Sequence, residues 1–354
     1  MKVAVFSAGN TGLATAVHLS SLGFEPMLYT RDAGKARALQ SHAVKSTGAL
    51  DGSWSIPASN DAGKVLADAD LVIVCAWANA HRAIFETIRR AWRASFHQPL
   101  RILVFNGNWG AYEAYQVFSK ECVVPEYVTI AEDAGMPYVA QASFDEPDPA
   151  SPVSVHVSGI KSSIEVAYAA NHDGGRVIDS FLRTVYGEVC HDASVFATSL
   201  AAPNPIIHAP LCLLNMTRIE EGASYRMLVD GFTERTEGLI LAVDAERRSL
   251  SEALGCEYTP IIRQLNGFWG SHYETLRELF SNNPVYSNVR GPMSVSHRFI
   301  HEDVPFGISP LVELGHLLDV RVPACEALSS LYGMYFSESF TGPSFDMGMV
   351  EALR

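Results

Sequence analysis

A run of strand-forming residues that gives way to small ones constrains this chain most: Val3-Ala4-Val5-Phe6, then Ser7-Ala8-Gly9-Asn10-Thr11-Gly12, then Leu13-Ala14. Residues 2–6 read as a buried strand. Gly9 and Gly12, with Ala14 and Ala16, let a helix start at once and lie close on a sheet. Backbone N–H groups at a helix N-terminus can approach a pyrophosphate only where no Cβ intrudes, so the turn predicts a dinucleotide pocket touched by Gly9, Asn10, Thr11 and Gly12. Ser7 stands where the first glycine of the usual G-x-G-x-x-G turn would be, and its side chain is expected to point away.

The surrounding pattern completes a βαβ unit. Gly12 to Leu22 reads as a helix closed by Gly23, and Glu25–Tyr29 as the next strand. The position about 20 residues on, where an acid would bond a ribose 2′-hydroxyl, holds Thr30 followed by Arg31. An acid there would repel a 2′-phosphate, whereas a guanidinium pairs with one bidentately. With Lys35 and Arg37 close by, the expected cofactor is NADP (as NADPH) rather than NAD. A solvated basic patch on a surface helix stays open as the alternative.

At 354 residues the chain is long enough for two domains. Its 26 Lys and Arg against 39 Asp and Glu give a net charge of −13, which argues against nucleic acid or an anionic membrane as partner. Cys75, Cys122, Cys190, Cys212, Cys256 and Cys325 are scattered without a C-x-x-C pair, as expected of reduced core residues in a cytoplasmic protein. A strand beginning at residue 2 leaves no room for a signal peptide, and no apolar run reaches the roughly 20 residues of a membrane span.

Further along, Asn60–Ala67 reads as a helix capped by Asn60 or Asp61. Ala69–Ala76 has the continuous apolar character of a parallel strand buried on both faces. A helix over 80–95 precedes another buried strand, Arg101–Phe105, which ends at Asn106-Gly107-Asn108-Trp109-Gly110. The strand Tyr127–Ile130 is expected to end at a loop, Ala131-Glu132-Asp133-Ala134-Gly135. Ligands of open α/β sheets lie at such strand ends, although any one of these residues is equally readable as plain turn. Residues 144–152 read as a Pro- and Asp-rich loop, Val153–Gly159 as an edge strand and Gly174–Val185 as a helix. From about residue 190 the pattern is helical, over roughly 205–221, 236–254, 258–266, 271–280, 309–318 and 323–335. The predicted fold is α/β: an N-terminal Rossmann domain (1–192) with a doubly wound parallel sheet, followed by an all-α domain (193–354). The default catalytic site is the cleft between the halves.

A dinucleotide domain leaves the choice of reaction to the second domain. No lysine follows Lys161, which disfavours reductases that draw a catalytic lysine from a helical domain and points to histidine as proton donor. His208 stands in Ala202-Pro203-Asn204-Pro205-Ile206-Ile207-His208-Ala209-Pro210, where Asn204 is expected to cap a helix beginning at Pro205 and kinked by Pro210. Ile207, Leu211 and Leu214 would face the core; His208, Cys212 and Asn215 would line another face. A lone helical histidine is more often structural, so a partner is needed. Ser296-His297-Arg298-Phe299-Ile300-His301-Glu302-Asp303-Val304-Pro305-Phe306-Gly307 offers one: a buried Asp would fix the histidine tautomer and an Arg would grip a carboxylate. A solvated loop before a helix capped by Ser309 is an equally good local reading.

Together these segments resemble the opine dehydrogenases, the octopine/nopaline dehydrogenase family, over nearly the whole chain. The resemblance is carried by Asn204-Pro-Ile-Ile-His208-Ala-Pro-Leu-Cys-Leu-Leu-Asn215, Val243-Asp244-Ala245-Glu246-Arg247, Asn283-Pro284-Val285-Tyr286, Gly291-Pro292, and Arg298 through Glu302-Asp303-Val304, followed by Pro310-Leu311 and Glu313-Leu314-Gly315. It implies that His208 is the catalytic acid/base, Asp303 its partner and Arg298 a substrate-carboxylate ligand, with no metal. It also implies reductive condensation of a 2-oxo acid such as pyruvate with the amine of an amino acid, and a homodimer. Ser7 departs from the family pattern, as does Thr30-Arg31, where NAD-dependent members carry an acid. A simple 2-oxo or 3-oxo acid reductase, or a dinucleotide-binding regulator without catalysis, remain alternatives. Tyr225, Arg226, Trp269, Tyr273 and Tyr286 are further residues that could line an amino acid pocket.

Overall fold

β1 (Lys2–Phe6) is buried from Val3 to Phe6 because it runs along the middle of a large sheet. The computed structural model describes all residues except 94–98, 121–123, 145–152, 172–173 and 192–193. Cys122, most of the loop expected over 144–152 and the expected domain boundary at 192/193 therefore lie outside the described residues. Two compact units emerge, Met1–Ser199 and Leu200–Arg354.

In the first unit, α1 (Asn10–Ser21) leads from β1 to β2 (Glu25–Tyr29), and α2 (Ala33–Ser41) follows. Next come β3 (Val44–Gly48), β4 (Gly52–Trp54), β5 (Ala58–Ser59), α3 (Ala62–Leu66), β6 (Leu71–Val74), α4 (His81–Arg93), β7 (Leu100–Val104) and α5 (Gly110–Phe118). β8 (Val128–Asp133), β9 (Tyr138–Phe144), β10 (Val153–Ile160), β11 (Ser163–Ala170), α6 (Gly175–Tyr186), β12 (Glu188–His191) and α7 (Val195–Leu200) complete it. The eight-stranded sheet has the order β12-β11-β8-β7-β6-β1-β2-β5. From β5 to β8 every pairing is parallel, and this is the strand order of a dinucleotide-binding sheet. The doubly wound expectation holds. β11 alone enters antiparallel, against β8.

A second sheet, β4-β3-β10-β9, was not legible in the sequence. It changes the reading of Val153–Gly159, which is no edge strand: β10 lies between β3, parallel, and β9, antiparallel. Val44, Tyr138, Val153, Val155 and Val157 of this sheet share one core with Leu13, Ala14 and Val17 of α1. Hence α1 is covered on both sides, and every residue from Gly12 to Leu19 is buried. The strand expected to stop at Ile130 continues to Asp133, so Ala131, Glu132 and Asp133 are fully buried strand residues rather than loop.

The second unit is helical: α8 (Pro203–Leu214), α9 (Met216–Glu220), α10 (Glu234–Leu254), α11 (Ile261–Trp269), α12 (Leu276–Asn282), α13 (Arg298–His301), α14 (Ser309–Leu318), α15 (Pro323–Phe336) and α16 (Met347–Leu353). The helix expected over 205–221 is interrupted at Asn215, whose amide donates to Leu211 and Gly231 carbonyls and ends α8. α8 begins at Pro203 with Ala202 as cap, so Asn204 lies inside the first turn and caps nothing. Leu214, expected in the core, is 55% exposed, while Cys212 is fully buried. The stretch expected as a loop before Ser309 is α13 followed by a π-helical turn, Val304–Ile308. Ser309 is therefore no cap, and its hydroxyl donates to the Phe340 carbonyl.

Asp244-Ala245-Glu246-Arg247 turns out to be a fastening. The Asp244 carboxylate takes Arg247, the Tyr258 hydroxyl and the Ile261 N–H, while Arg247 also donates to the Leu200 and Thr259 carbonyls. Glu246 accepts from the Ala324 and Cys325 N–H groups and so caps α15 from a distance. Among the described cysteines, all are free; Cys75, Cys212 and Cys325 are buried as expected, whereas Cys190 is exposed. Among the described residues no helix is long and apolar enough to cross a membrane, and no group of three or more His, Cys, Asp or Glu could hold a metal ion.

Candidate functional site

In the helical unit, α8 and the turn after α13 bring His208 and Asp303 together from 95 residues apart. Nδ1 of His208 lies 2.8 Å from Oδ2 of Asp303, and the two side chains are 12% and 2% exposed. With Nδ1 engaged by the carboxylate, Nε2 is the nitrogen available to exchange a proton with a substrate. Phe299 stacks on the imidazole, ring centroids 3.8 Å apart and planes at 25°. A π face against the ring fixes its plane.

The same short helix carries the other charged groups. Arg298 is paired with Glu302 at 3.7 Å, lies 5.7 Å from the Phe299 ring centroid, and is partly exposed. His297 caps α13 by accepting the Phe299 N–H on Nδ1, and its ring meets Phe299 edge-on at 4.5 Å. Burial, then the charges of Arg298 and His208, push the His297 pKa below its ordinary value. Two imidazoles and a guanidinium thus surround one phenyl ring. Phe299 was missed at the sequence level; the only signal was its place between Arg298 and Ile300 in a run already suspected of chemistry.

Of the further pocket residues considered, Arg226 is tied to Asp230 (2.6 Å), Trp269 donates to the Tyr286 hydroxyl (2.8 Å), and Asn266 donates to the Tyr273 carbonyl. Tyr225 packs against Gly291, where a Cβ would come within 2.2 Å of its ring. These contacts give all five a structural use.

The first unit presents the phosphate turn. Gly9 caps α1 and has no side chain to bond the first N–H groups of the helix. A Cβ at Gly12 would lie 1.8 Å from the Ser7 carbonyl oxygen, so only glycine permits the helix this close to the strand end. Ser7 itself sits at φ 113°, a conformation that favours glycine. The expectation that the Ser7 side chain points away is thus corrected: its Oγ lies 3.4 Å from the Gly9 N–H, and the departure is also felt in the backbone. Asn10 and Thr11 also have structural duties, Asn10 Oδ1 accepting the Ala142 N–H of β9 (2.9 Å) and Thr11 meeting the Met136 sulfur. These residues fit a dinucleotide's pyrophosphate.

At the far end of the turn, Thr30 is buried and Arg31 exposed. The Lys35 ammonium lies 4.5 Å over the Phe144 ring. Asp32, an acid that the sequence reading passed over, caps α2 through Oδ1 to the Gly34 and Lys35 N–H groups, and these bonds hold its pKa below the usual value. At the C-terminal end of β8 the chain carries two more buried acids. Glu132 accepts from the Ala111 N–H and from the Thr198 and Ser199 hydroxyls. Burial pushes Asp133 up to about 8, against the pull of Lys161 and the Asn106 N–H.

Comparison with known proteins agrees with both units. Residues 191–336 match the family described as NAD/NADP octopine/nopaline dehydrogenase, alpha-helical domain. Along 95% of its length the chain is 26% identical to an opine dehydrogenase of Arthrobacter sp. (strain 1C), over 91% of that protein. Its fold is that of octopine dehydrogenase, solved with NADH and L-arginine (TM-score 0.76, 15% identity, 95% of this chain and 90% of that one). It is also similar to yersinopine dehydrogenase, solved with NADP+ (TM-score 0.73, 15% identity, 100% and 97%).

Proposed function

We propose that this chain, an NAD(P)-dependent oxidoreductase of the opine dehydrogenase family, uses NADPH to join a 2-oxo acid such as pyruvate to the amino group of an amino acid. The observation that carries this is the His208–Asp303 pair, a buried carboxylate orienting an imidazole whose second nitrogen is left for chemistry. Amine and ketone first add to a carbinolamine. Nε2 of a protonated His208 then gives its proton to the departing hydroxyl, releasing water and leaving an iminium ion, with the positive charge on its C=N nitrogen. Asp303 steadies the imidazolium before this transfer and holds the tautomer after it. When bound, a reduced nicotinamide would supply the hydride that turns the C=N bond of this iminium into the secondary amine. Arg298, held by Glu302, is the ligand for a substrate carboxylate and brings the reactants together without chemistry of its own.

The choice of NADPH rests on exposed Arg31 beside Thr30, where an acid would otherwise meet the ribose. Asp32 stands two residues beyond Thr30, and its Oδ1 accepts the Gly34 and Lys35 N–H groups of the α2 cap. Oxidation of NADPH and of NADH is to be followed with pyruvate and other 2-oxo acids, with and without a panel of amino acids. Turnover that depends on the amine and favours NADPH is expected, and Arg31→Asp should move the preference toward NADH. Turnover without any amine would identify a simple 2-oxo acid reductase instead. A protein that binds NADPH but turns over no pairing would fit a dinucleotide-binding regulator.

A further inference from the structure

We propose that the Ser7 hydroxyl is a ligand of the cofactor pyrophosphate, a donor that a glycine at this position would not supply; the inference rests on the dinucleotide reading above and holds for NADPH and NADH alike. Ser7 is held in its left-handed backbone conformation, φ 113°, from both sides. Its N–H donates to the Tyr29 carbonyl at the end of β2 (3.1 Å), and its own carbonyl lies under Gly12, where a Cβ would come within 1.8 Å. A non-glycine residue in such a region is strained and persists where its surroundings over-determine it.

What the side chain gains is a place in the phosphate turn. Oγ lies 3.4 Å from the Gly9 N–H, a long bond, and the Cβ position of Gly9 faces the same oxygen at 3.5 Å. The hydroxyl is therefore beside the first N–H groups of α1, none of which has a side-chain acceptor from the cap residue. A hydroxyl can accept one hydrogen bond and donate another. Ser7 can keep its weak contact with Gly9 while its proton points to an anion, adding one donor to a cradle otherwise made of backbone. A hydrogen bond to a charged group is worth enough to alter affinity roughly 10-fold.

The test uses the full chain and two variants, Ser7→Ala, which keeps the backbone strain and loses the hydroxyl, and Ser7→Gly, which loses both. Dissociation constants are read by fluorescence titration for NADPH, NADH and 2′-AMP, which has the 2′-phosphate but no pyrophosphate; melting of the ligand-free proteins is recorded alongside. Expected are Kd values for NADPH and NADH raised about 10-fold in both variants, an unchanged Kd for 2′-AMP, and a Ser7→Gly protein at least as heat-stable as wild type. NADPH and NADH affinities within twofold of wild type in both variants would overturn the assignment and leave the dinucleotide reading intact. Equal weakening of 2′-AMP would also overturn it, because the hydroxyl would then be acting on the fold of the turn. Wild-type protein that bound neither dinucleotide would overturn the cofactor reading and this inference with it.

Discussion

His208 is fixed at three points: by the backbone of α8, by Asp303 at Nδ1 and by the face of Phe299. Its side chain is poised before any substrate arrives, which is what proton transfer between a positioned imidazole and a leaving hydroxyl requires. His208→Ala should lower turnover by roughly 10²–10⁴ while the Kd for NADPH stays unchanged; a large loss of cofactor affinity would show that the residue acts elsewhere. Composition marked His208 and the Arg298–Asp303 run as places of interest, but 95 residues separate the pair. Spacing alone could not join them, and their roles came from the resemblance. Phe299 carried no signal beyond its place in that run, because ring stacking between distant segments leaves no periodicity.

At the scale of elements, the site depends on how closely the π-helical turn approaches α8. Gly307 has no Cβ because one would lie 2.1 Å from the Pro205 Cβ, at the start of the helix that carries His208. On the other side, Gly342 of the C-terminal segment comes so close to Pro305 that a Cβ would meet its carbonyl oxygen at 1.9 Å. The turn bearing Asp303 is thus clamped between two glycine contacts. Gly307→Ala should force the turn off α8, lower kcat/KM at least 10-fold and cost about 1–3 kcal/mol of stability; steady-state rates and denaturant melts would check this. Proline and glycine at 305 and 307 made the stretch look like a loop. A π turn tolerates both here because tertiary contacts decide its shape. The long, strongly periodic elements, β1 with α1, β6, α10, α14 and α15, were legible within a few residues. The second sheet was not, because its strands come from two segments more than 80 residues apart and only Val153–Gly159 carries a strand pattern of its own.

The first unit as a whole carries acids that its interior holds in the neutral form. Burial pushes Glu113 up to about 7, against Arg82 at 3.4 Å, and Asp133 up to about 8. A raised carboxyl pKa contributes stability that is full below the unfolded value, about 4.5 for Glu113, and is lost as pH rises through the folded value. Heat stability of the ligand-free protein should therefore fall between about pH 5 and pH 8. Glu113→Gln should flatten that fall and recover up to about 3 kcal/mol at pH 8, read from melts of wild type and variant across the range. A variant with the same pH slope as wild type would place the titration elsewhere.

The second sheet, whose parallel pair β3 and β10 spans more than 100 residues, bears on the order in which the chain is made. Leaving the ribosome, α1 can settle on β1 and β2 early, yet its other side has no cover until β9 and β10 have been synthesised. The nascent chain therefore displays an apolar helix flank at the future phosphate turn until about residue 160 has emerged. Pairing between distant strands is slow to nucleate, and exposed apolar surface is what holdase chaperones grip. The candidate phosphate turn is thus made before the strands β9 and β10 that cover the helix behind it.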